Sequence, residues 1–280
     1  MAVLKLAATV MMAVTLMMGA ATGEASAGLL SPREDPELES QIRDYLDSLD
    51  ATYGVAAISL DDGRAAFVNA DEAFLTASLY KLLVMYRVLE AVDRDDLAMG
   101  TELTVLTADV TQEDSTSLSP GDVVTVSDAL DCMVTLSSNT AAWVLTRAVG
   151  GWGVVSSAAN DLGMSSTYLA GEDYWSTPSD IAHFLRLLAN RALVSQWASD
   201  QMIDLLLRQT SNDRLPAYLP DSAQVAHKTG ELEGVRNDAG IVRGPGGRYV
   251  IVVMSRGGDP AEQVPAEARI SRMVYDRYGS

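Results

Sequence analysis

The sequence is poor in residues that form disulfides or bind metals, with one cysteine and two histidines in 280 residues. Cys132 has no partner for an internal disulfide, and no basic residue beside it would favour a catalytic thiolate. We therefore expect Cys132 to lie in the core. His183 and His227 are far apart and form no zinc-binding pattern, so we expect neither a metal nor another cofactor.

Basic residues are also scarce, since 20 Lys and Arg stand against 38 Asp and Glu, for a net charge of −18. A charge of this sign and size opposes binding to nucleic acid or anionic lipid and favours solubility. Apolar residues make up 48% of the chain, and no low-complexity tract interrupts it, which indicates a globular protein. We expect a monomer that binds neither nucleic acid nor a membrane.

The first residues have the pattern of a targeting segment. An apolar run from residue 6 to 21 follows Lys5, and residues 25–27, Ala-Ser-Ala, form a small-residue cleavage site. The run is too short, and its flanks are wrong, for a membrane span. We interpret residues 1–27 as a signal peptide, with an uncleaved anchor as the alternative. The absence of a nearby cysteine argues against a lipid anchor, so residues 28–280 are expected to be secreted, outside the cell or into the periplasm.

Helical and strand patterns follow one another in an order that predicts an α+β fold. They place helices at residues 36–49, 78–93, 127–134, 139–149, 154–162, 179–191, 195–208 and 265–278. They place strands at residues 55–60, 65–69, 225–229, 240–242 and 249–254. We expect an antiparallel sheet formed by both chain ends (28–70 and 222–280, the α/β lobe). An inserted helical lobe (71–221) would face it across a cleft.

Residues 78–81, Ser-Leu-Tyr-Lys, open a helix with almost no polar face, which predicts that the helix is central and buried. Residues three apart share a helix face, so the Ser78 hydroxyl and the Lys81 amine can approach each other. A serine hydroxyl needs an adjacent base to act as a nucleophile. A lysine kept from water near other cations has a lowered pKa and can accept that proton. A Ser-x-x-Lys pair alone, however, occurs often by chance.

A second motif, Ser137-Ser138-Asn139, stands at the start of a later helix. Ser137 can supply a hydroxyl that relays a proton to a leaving nitrogen. Asn139 can hold a substrate amide as both donor and acceptor. The alternative is structural, because Ser138 or Asn139 is also a favoured helix N-cap.

A third motif, Lys228-Thr229-Gly230, ends a predicted strand. Lys228 and Thr229 can bind a substrate carboxylate there. Gly230, which lacks a side chain, allows a substrate backbone to approach closely. Taken alone, the tripeptide is equally typical of a solvated strand end.

Together and in this order, the three motifs resemble those of class A β-lactamases and penicillin-binding proteins, and the chain is similar to that family. Shorter similarities are Asn69-Ala70-Asp71 with Phe74, Asn139-Thr140-Ala141-Ala142 and Thr177-Pro178-Ser179-Asp180. The resemblance covers residues 50–278 and implies a β-lactamase/transpeptidase-like fold. It implies a small-molecule substrate, a β-lactam or an acyl-D-Ala-D-Ala-like peptide. An α/β-hydrolase is excluded because the chain has no Gly-x-Ser-x-Gly elbow.

The resemblance also implies roles for the matching residues. Ser78 would be the acylated nucleophile, with Lys81 as its base or proton relay. Ser137 and Lys228 would move the second proton, and Asn139 would contact the substrate amide.

Two further sites follow from the same resemblance. The oxyanion hole would consist of the backbone N–H groups of Ser78 and Glu231. Arg236 lies near the position where such enzymes carry an arginine that supports carboxylate binding. The match there is loose, and a surface salt bridge is the alternative.

One departure from the family concerns release of the acyl group. Class A β-lactamases carry Glu-x-x-Leu-Asn in a long loop, and its glutamate activates the deacylating water. Here residues 167–178 form a shorter segment without that motif, and its acids are Glu172 and Asp173. Either could substitute as the base, or both could simply face solvent. We therefore expect slow β-lactam hydrolysis, with a D,D-peptidase, an esterase or a non-hydrolysing penicillin sensor as alternatives.

Overall fold

The computed structural model describes residues 29–111, 114–170 and 173–280. The predicted signal peptide and Glu172 lie outside the described residues. Its strands are β1 (Arg33–Glu34), β2 (Thr52–Ser59), β3 (Arg64–Val68), β4 (Phe74–Leu75), β5 (Glu102–Thr104), β6 (Val123–Thr125), β7 (Tyr168–Ala170), β8 (Asp173–Ser176), β9 (Gln224–Leu232), β10 (Val235–Gly244) and β11 (Gly247–Arg256). Its α-helices are α1 (Pro36–Leu46), α2 (Lys81–Asp93), α3 (Val126–Thr135), α4 (Asn139–Ala148), α5 (Trp152–Asp161), α6 (Pro178–Ala189), α7 (Gln196–Leu207) and α8 (Pro260–Tyr278).

The main sheet has six strands in the order β1-β3-β2-β11-β10-β9, so both ends of the chain build it. This confirms the predicted α+β fold. Every neighbouring pair is antiparallel except β1 and β3, which pair in parallel over two residues each.

The strands near the carboxyl end are longer than predicted, β10 most of all. Near its start, Arg236-Asn237-Asp238 are polar and carry no strand signal. In the structure Asn237 and Asp238 are fully buried. Their polar groups bind neighbouring chain segments, as when Asn237 Oδ1 accepts from the backbone N–H of Ser255 at 3.1 Å. Buried polar side chains with partners are compatible with a central strand, although their types favour turns.

Two apolar layers cover the sheet. The α1 and α8 helices pack on one face, while α6 contacts β2, β10 and β11 on the other. The α2 helix is central, as predicted, and is buried continuously from Lys81 to Leu89. Cys132 is partly buried against this second layer. Burial and the nearby Asp131 and Asp128 carboxylates raise the pKa of its thiol, which disfavours a nucleophilic thiolate.

Six helix starts differ from those predicted, four of them by one or two residues, and two of the six can be explained. The α3 helix begins at Val126, before the predicted residue 127, because Thr125 caps it by accepting from the N–H of Asp128. The last helix begins at Pro260 behind the N-cap Asp259, so Pro265 lies inside it. Both Asp259-Pro260 and Pro265 are helix-start signals, and sequence alone does not rank them. No helix in the described part of the chain is long and apolar enough to cross a bilayer.

Candidate active site

Ser78 and Lys81 lie where a short 3₁₀ turn, Ala77–Tyr80, runs into α2. The turn places the Ser78 Oγ 3.1 Å from the Lys81 Nζ. Lys81 is completely buried. Ala77, directly before the serine, has a φ of 46°, a left-handed conformation that is strained for a residue with a side chain. The Ser78 hydroxyl and the Lys81 amine are therefore in hydrogen-bond contact. The residue before them has a strained backbone conformation.

The second motif lies between α3 and α4 and points at the same lysine. Ser137 has a left-handed backbone, with a φ of 61°, so its carbonyl oxygen lies 2.5 Å and its Oγ 3.2 Å from the Lys81 Nζ. The Asn139 Oδ1 accepts from the same amine at 2.7 Å. Ser138 is the N-cap of α4, since its Oγ accepts from the Ala141 N–H at 3.0 Å. The structural alternative therefore holds for Ser138, while its two neighbours face Lys81.

The third motif brings a second lysine from β9. Lys228 is completely buried, and its Nζ donates to the Ser137 Oγ and to the Thr229 carbonyl, both at 2.9 Å. A Cβ at Gly230 would lie 2.8 Å from the Thr76 carbonyl oxygen and 3.2 Å from the Ser78 backbone nitrogen. Glycine is therefore required for β9 itself to approach the Ser78 turn, beyond any closeness to a substrate.

Both lysines are buried where a positive charge is disfavoured, and Lys228 also acts on Lys81. Burial, aided by the Lys228 ammonium, lowers the pKa of Lys81 to about 6, while the Asp114 carboxylate opposes this. Burial likewise lowers the pKa of Lys228 to about 7. A neutral Lys81 amine has two N–H groups for the Ser137 carbonyl and the Asn139 amide oxygen. Its lone pair is then left for the Ser78 hydroxyl, the arrangement needed for a general base.

A cleft of about 210 Å³ opens beside Ser78. Its lining residues are Leu75, Ala77, Ser78, Tyr80, Asn139, Tyr174, Glu231 and Leu232. Sequence analysis missed Tyr80 and Tyr174, whose rings pack at 4.8 Å. Trp152 contacts both rings from behind, at 5.5 Å and 5.1 Å. The position of Tyr80 inside the first motif could have indicated that it lies at the cleft. Nothing in the sequence, however, pairs Tyr80 with Tyr174 or Trp152.

Residues 37–278 match the model of a family described as the beta-lactamase enzyme family. The chain belongs to this family. It is 28% identical over 277 residues to a β-lactamase of Bacteroides uniformis, covering 86% of this chain and 90% of the relative. It is 26% identical to the extended-spectrum β-lactamase PER-1 of Pseudomonas aeruginosa, with 88% and 87% covered. The family match and these relatives show that the chain is a serine hydrolase of the β-lactamase type.

Solved structures give the same result for the fold of this β-lactamase-family member. PBP-A superposes with a TM-score of 0.85 at 27% identity, covering 89% of this chain and 98% of that one. A single-substitution variant of PBP-A, solved as an acyl-enzyme with penicillin G, has the same TM-score and identity, with 89% and 99% covered. A β-lactamase from Sphaerobacter thermophilus gives 0.81 at 25% identity, with 87% and 98% covered.

The arginine predicted from the family pattern is held at the β9–β10 turn. Arg236 lies opposite Glu231 in the strand register. Its Nη1 donates to the carbonyls of Leu232 and Val235, each at 2.7 Å. No described acidic residue forms an ion pair with it, so the structure places its guanidinium on the turn backbone.

A second arginine, which sequence analysis missed, is Arg214, which contacts residues of β9 and β10 in this β-lactamase-family fold. Arg214 is almost fully buried, forms an ion pair with the Glu231 carboxylate, and donates to the Asn237 carbonyl at 3.2 Å. Its segment between α7 and β9 has no periodic pattern, and no motif marks it. Arg214 therefore fixes the acidic side chain that lines the cleft.

The candidate deacylating acids are not positioned by the described residues. Glu172 lies outside them, and only the backbone of Asp173 is described, paired with Ala170 in the β7–β8 hairpin. Among the described residues no three His, Cys, Asp or Glu side chains could hold one metal ion. His227 instead contacts Asp238 through Nδ1 at 2.9 Å.

Proposed function

We propose that the chain is a secreted serine hydrolase that is acylated at Ser78 by β-lactams and releases the acyl group slowly. The observation that carries the proposal is the contact between the Ser78 Oγ and the buried Lys81 amine, which also donates to the Ser137 carbonyl and the Asn139 Oδ1.

The proposal includes secretion. Residues 1–27 would be removed during export, and mass spectrometry of the exported protein would then show an amino terminus near Gly28.

The acylation step follows from these contacts. The neutral Lys81 Nζ takes the Ser78 hydroxyl proton while Oγ bonds to the lactam carbonyl carbon. The developing oxyanion would be held by the backbone N–H groups of Ser78 and Glu231. As the C–N bond breaks, the nitrogen takes a proton from the Ser137 hydroxyl. That proton is replaced from Lys81 or Lys228, whose amines lie 3.2 Å and 2.9 Å from the Ser137 Oγ.

The remaining groups would hold the substrate. Asn139 would hold the substrate amide, and Lys228 with Thr229 its carboxylate, with Arg236 in support. The cleft would lie between the lobe formed by residues 28–70 and 222–280 and the lobe of 71–221. Tyr80 and Tyr174 give one side of the cleft an aromatic surface, which favours an apolar or aryl acyl substituent.

Release of the acyl group requires a second base for water. Among the described residues lining the cleft, Glu231 alone is acidic, and its carboxylate is paired with Arg214. That ion pair holds the carboxylate toward Arg214 and away from the role of activating a water. Slow release is therefore the expected behaviour.

A second candidate function is penicillin binding without turnover. It is favoured by the likeness to PBP-A, of which a variant was solved as an acyl-enzyme with penicillin G. The two functions share the acylation step and differ only in what removes the acyl group.

Mixing the purified protein with nitrocefin is expected to give a burst of about one equivalent of hydrolysed product, followed by a slow steady rate. The reason is that the described site supplies the groups for acylation but no base for releasing the acyl group. A fluorescent penicillin should give a covalent band that persists after gel separation. Fast turnover without a burst would contradict slow release. Absence of both colour change and labelling would overturn acylation by β-lactams.

Replacing Glu172 with glutamine or Asp173 with asparagine is expected to change the release rate by no more than about twofold. A true general base contributes about 10²–10⁴-fold, so the measurement separates the two cases. The decay of the labelled protein gives this rate directly, and Asp71→Asn, outside the segment, serves as the control. A hundredfold slower decay in one variant would identify that acid as the deacylating base.

A further inference from the structure

Asp114 lies in the irregular segment between β5 and β6, outside all three motifs. Its Oδ1 accepts from the backbone N–H groups of Asn139 at 2.7 Å and Thr140 at 3.4 Å. Its Oδ2 accepts from the hydroxyls of Ser138 at 3.1 Å and Thr116 at 2.7 Å. One carboxylate from a distant segment thus binds three consecutive residues at the start of α4.

These contacts complete the capping of α4. Its first N–H groups have no partners within the helix. Ser138 satisfies that of Ala141, and Asp114 satisfies those of Asn139 and Thr140. Burial raises the pKa of Asp114, but the hydrogen bonds from Thr116, Asn139, Thr140 and Ser138 outweigh it and hold the pKa below its ordinary value. The group is therefore negative at neutral pH, which suits a helix N-terminus.

The same contacts restrain the residue that faces Lys81. Ser137 has a left-handed backbone conformation, which costs free energy and persists only where neighbours enforce it. The residues directly after it are fixed by Asp114. Removing that anchor would weaken the restraint that holds the Ser137 carbonyl and hydroxyl, and the Asn139 amide, against Lys81.

Asp114 also balances charge in the site. The groups that act on Lys81 among the described residues are Lys228 from β9 and Asp114 from this segment, with opposite effects. The Tyr80 ring faces the amine at 5.8 Å. The Asp114 carboxylate is thus the one described negative group that opposes the second lysine.

We propose that Asp114 is a positioning residue for acylation, which holds Ser137 and Asn139 against Lys81 and supplies the negative charge that offsets Lys228. The role rests on the proposed function for its kinetic consequences. Its structural and electrostatic parts, in contrast, can be measured without any substrate.

The test compares Asp114→Asn and Asp114→Ala. Asparagine keeps the Oδ1 acceptor but loses the charge, so the pKa of Lys81 falls and the acidic limb of the acylation rate moves to lower pH. Alanine also removes the anchor, and the plateau rate of labelling by a fluorescent penicillin should fall about tenfold or more. Thermal unfolding shows whether each variant is folded. If Asp114→Ala does not fold, the shift of the acidic limb in Asp114→Asn is sufficient to test the proposal.

Titration of Lys81 by NMR gives a readout that needs no acylation. The sequence has three lysines, at positions 5, 81 and 228, so ¹³C-lysine spectra are simple, and Lys228→Arg assigns the signals. The Lys81 midpoint should fall in Asp114→Asn.

Asp109 provides the matched control, because it ties the same segment to the other end of α4 through Arg147 at 2.7 Å. Asp109→Asn should lower the unfolding temperature without moving the Lys81 midpoint. An unchanged midpoint and rate in Asp114→Asn, or an equal shift in Asp109→Asn, would overturn the proposal. A wild-type protein that titrates as expected but is never labelled would contradict the proposed function alone.

Discussion

Replacing Ser78 with alanine is expected to abolish covalent labelling by a fluorescent penicillin, a loss of about 10³-fold or more in rate. In the proposed function the hydroxyl forms the acyl bond, and its described contact is with Lys81. Since that contact is a single hydrogen bond, the unfolding temperature should change little. Labelling is measured after gel separation and unfolding by circular dichroism.

Peptide mapping makes this result specific, because a second hydroxyl lies close by. Ser137 Oγ is 3.2 Å from Lys81 Nζ and is the natural competitor. Trypsin separates the two serines, since Ser78 falls in the peptide 65–81 and Ser137 in the peptide 95–147. The penicilloyl mass should appear on 65–81 in the wild type and on neither peptide in Ser78→Ala. A label on 95–147 in both proteins would assign the nucleophile to Ser137.

Sequence alone predicted the four groups that meet at the candidate site but not the groups that hold them. Ser78 and Lys81 could be paired because residues three apart share a helix face. Ser137 and Lys228 could be included because the three motifs occur in one order. Each of these residues is named by a short local pattern, and the structure brings all four together.

The supporting residues follow no such pattern. Asp114 and Arg214 come from segments without regular structure, and each acts on residues distant in sequence. Gly230 was predicted to admit a substrate, but its contact with the Thr76 carbonyl and the Ser78 nitrogen depends on how β9 packs against the first turn of α2. Long-range packing of this kind is decided by tertiary structure, which a single sequence does not encode in any short motif.

The fold boundaries illustrate the same limit. The start of β10 is polar because Asn237 serves the site, its Nδ2 donating to the carbonyls of Leu75 at 2.9 Å and Thr76 at 3.1 Å. A polar strand residue that holds the turn before Ser78 weakens the alternation from which strands are predicted. Local sequence rules therefore fail at β10 because its buried polar side chains bind distant backbone groups.

Replacing Lys81 with alanine is expected to slow acylation by about 10²–10⁴-fold, the usual contribution of a general base. In the wild type the rate should rise with pH through about 6, because the pKa of Lys81 lies at about 6 and only the neutral amine accepts the serine proton. That acidic limb should be absent in Lys81→Ala. The measurement is the labelling rate from pH 5 to 9, with circular dichroism to show that the variant is folded.

Lys228→Ala is the control that separates the two amines. Removing Lys228 takes away a positive charge that lowers the pKa of Lys81, so the acidic limb should move to higher pH while remaining present. Any fall in rate as the wild-type Lys228 loses its proton, with a pKa of about 7, should disappear in this variant. An acidic limb that survives in Lys81→Ala would mean that another group takes the Ser78 proton, and the role given to the buried amine would then be wrong.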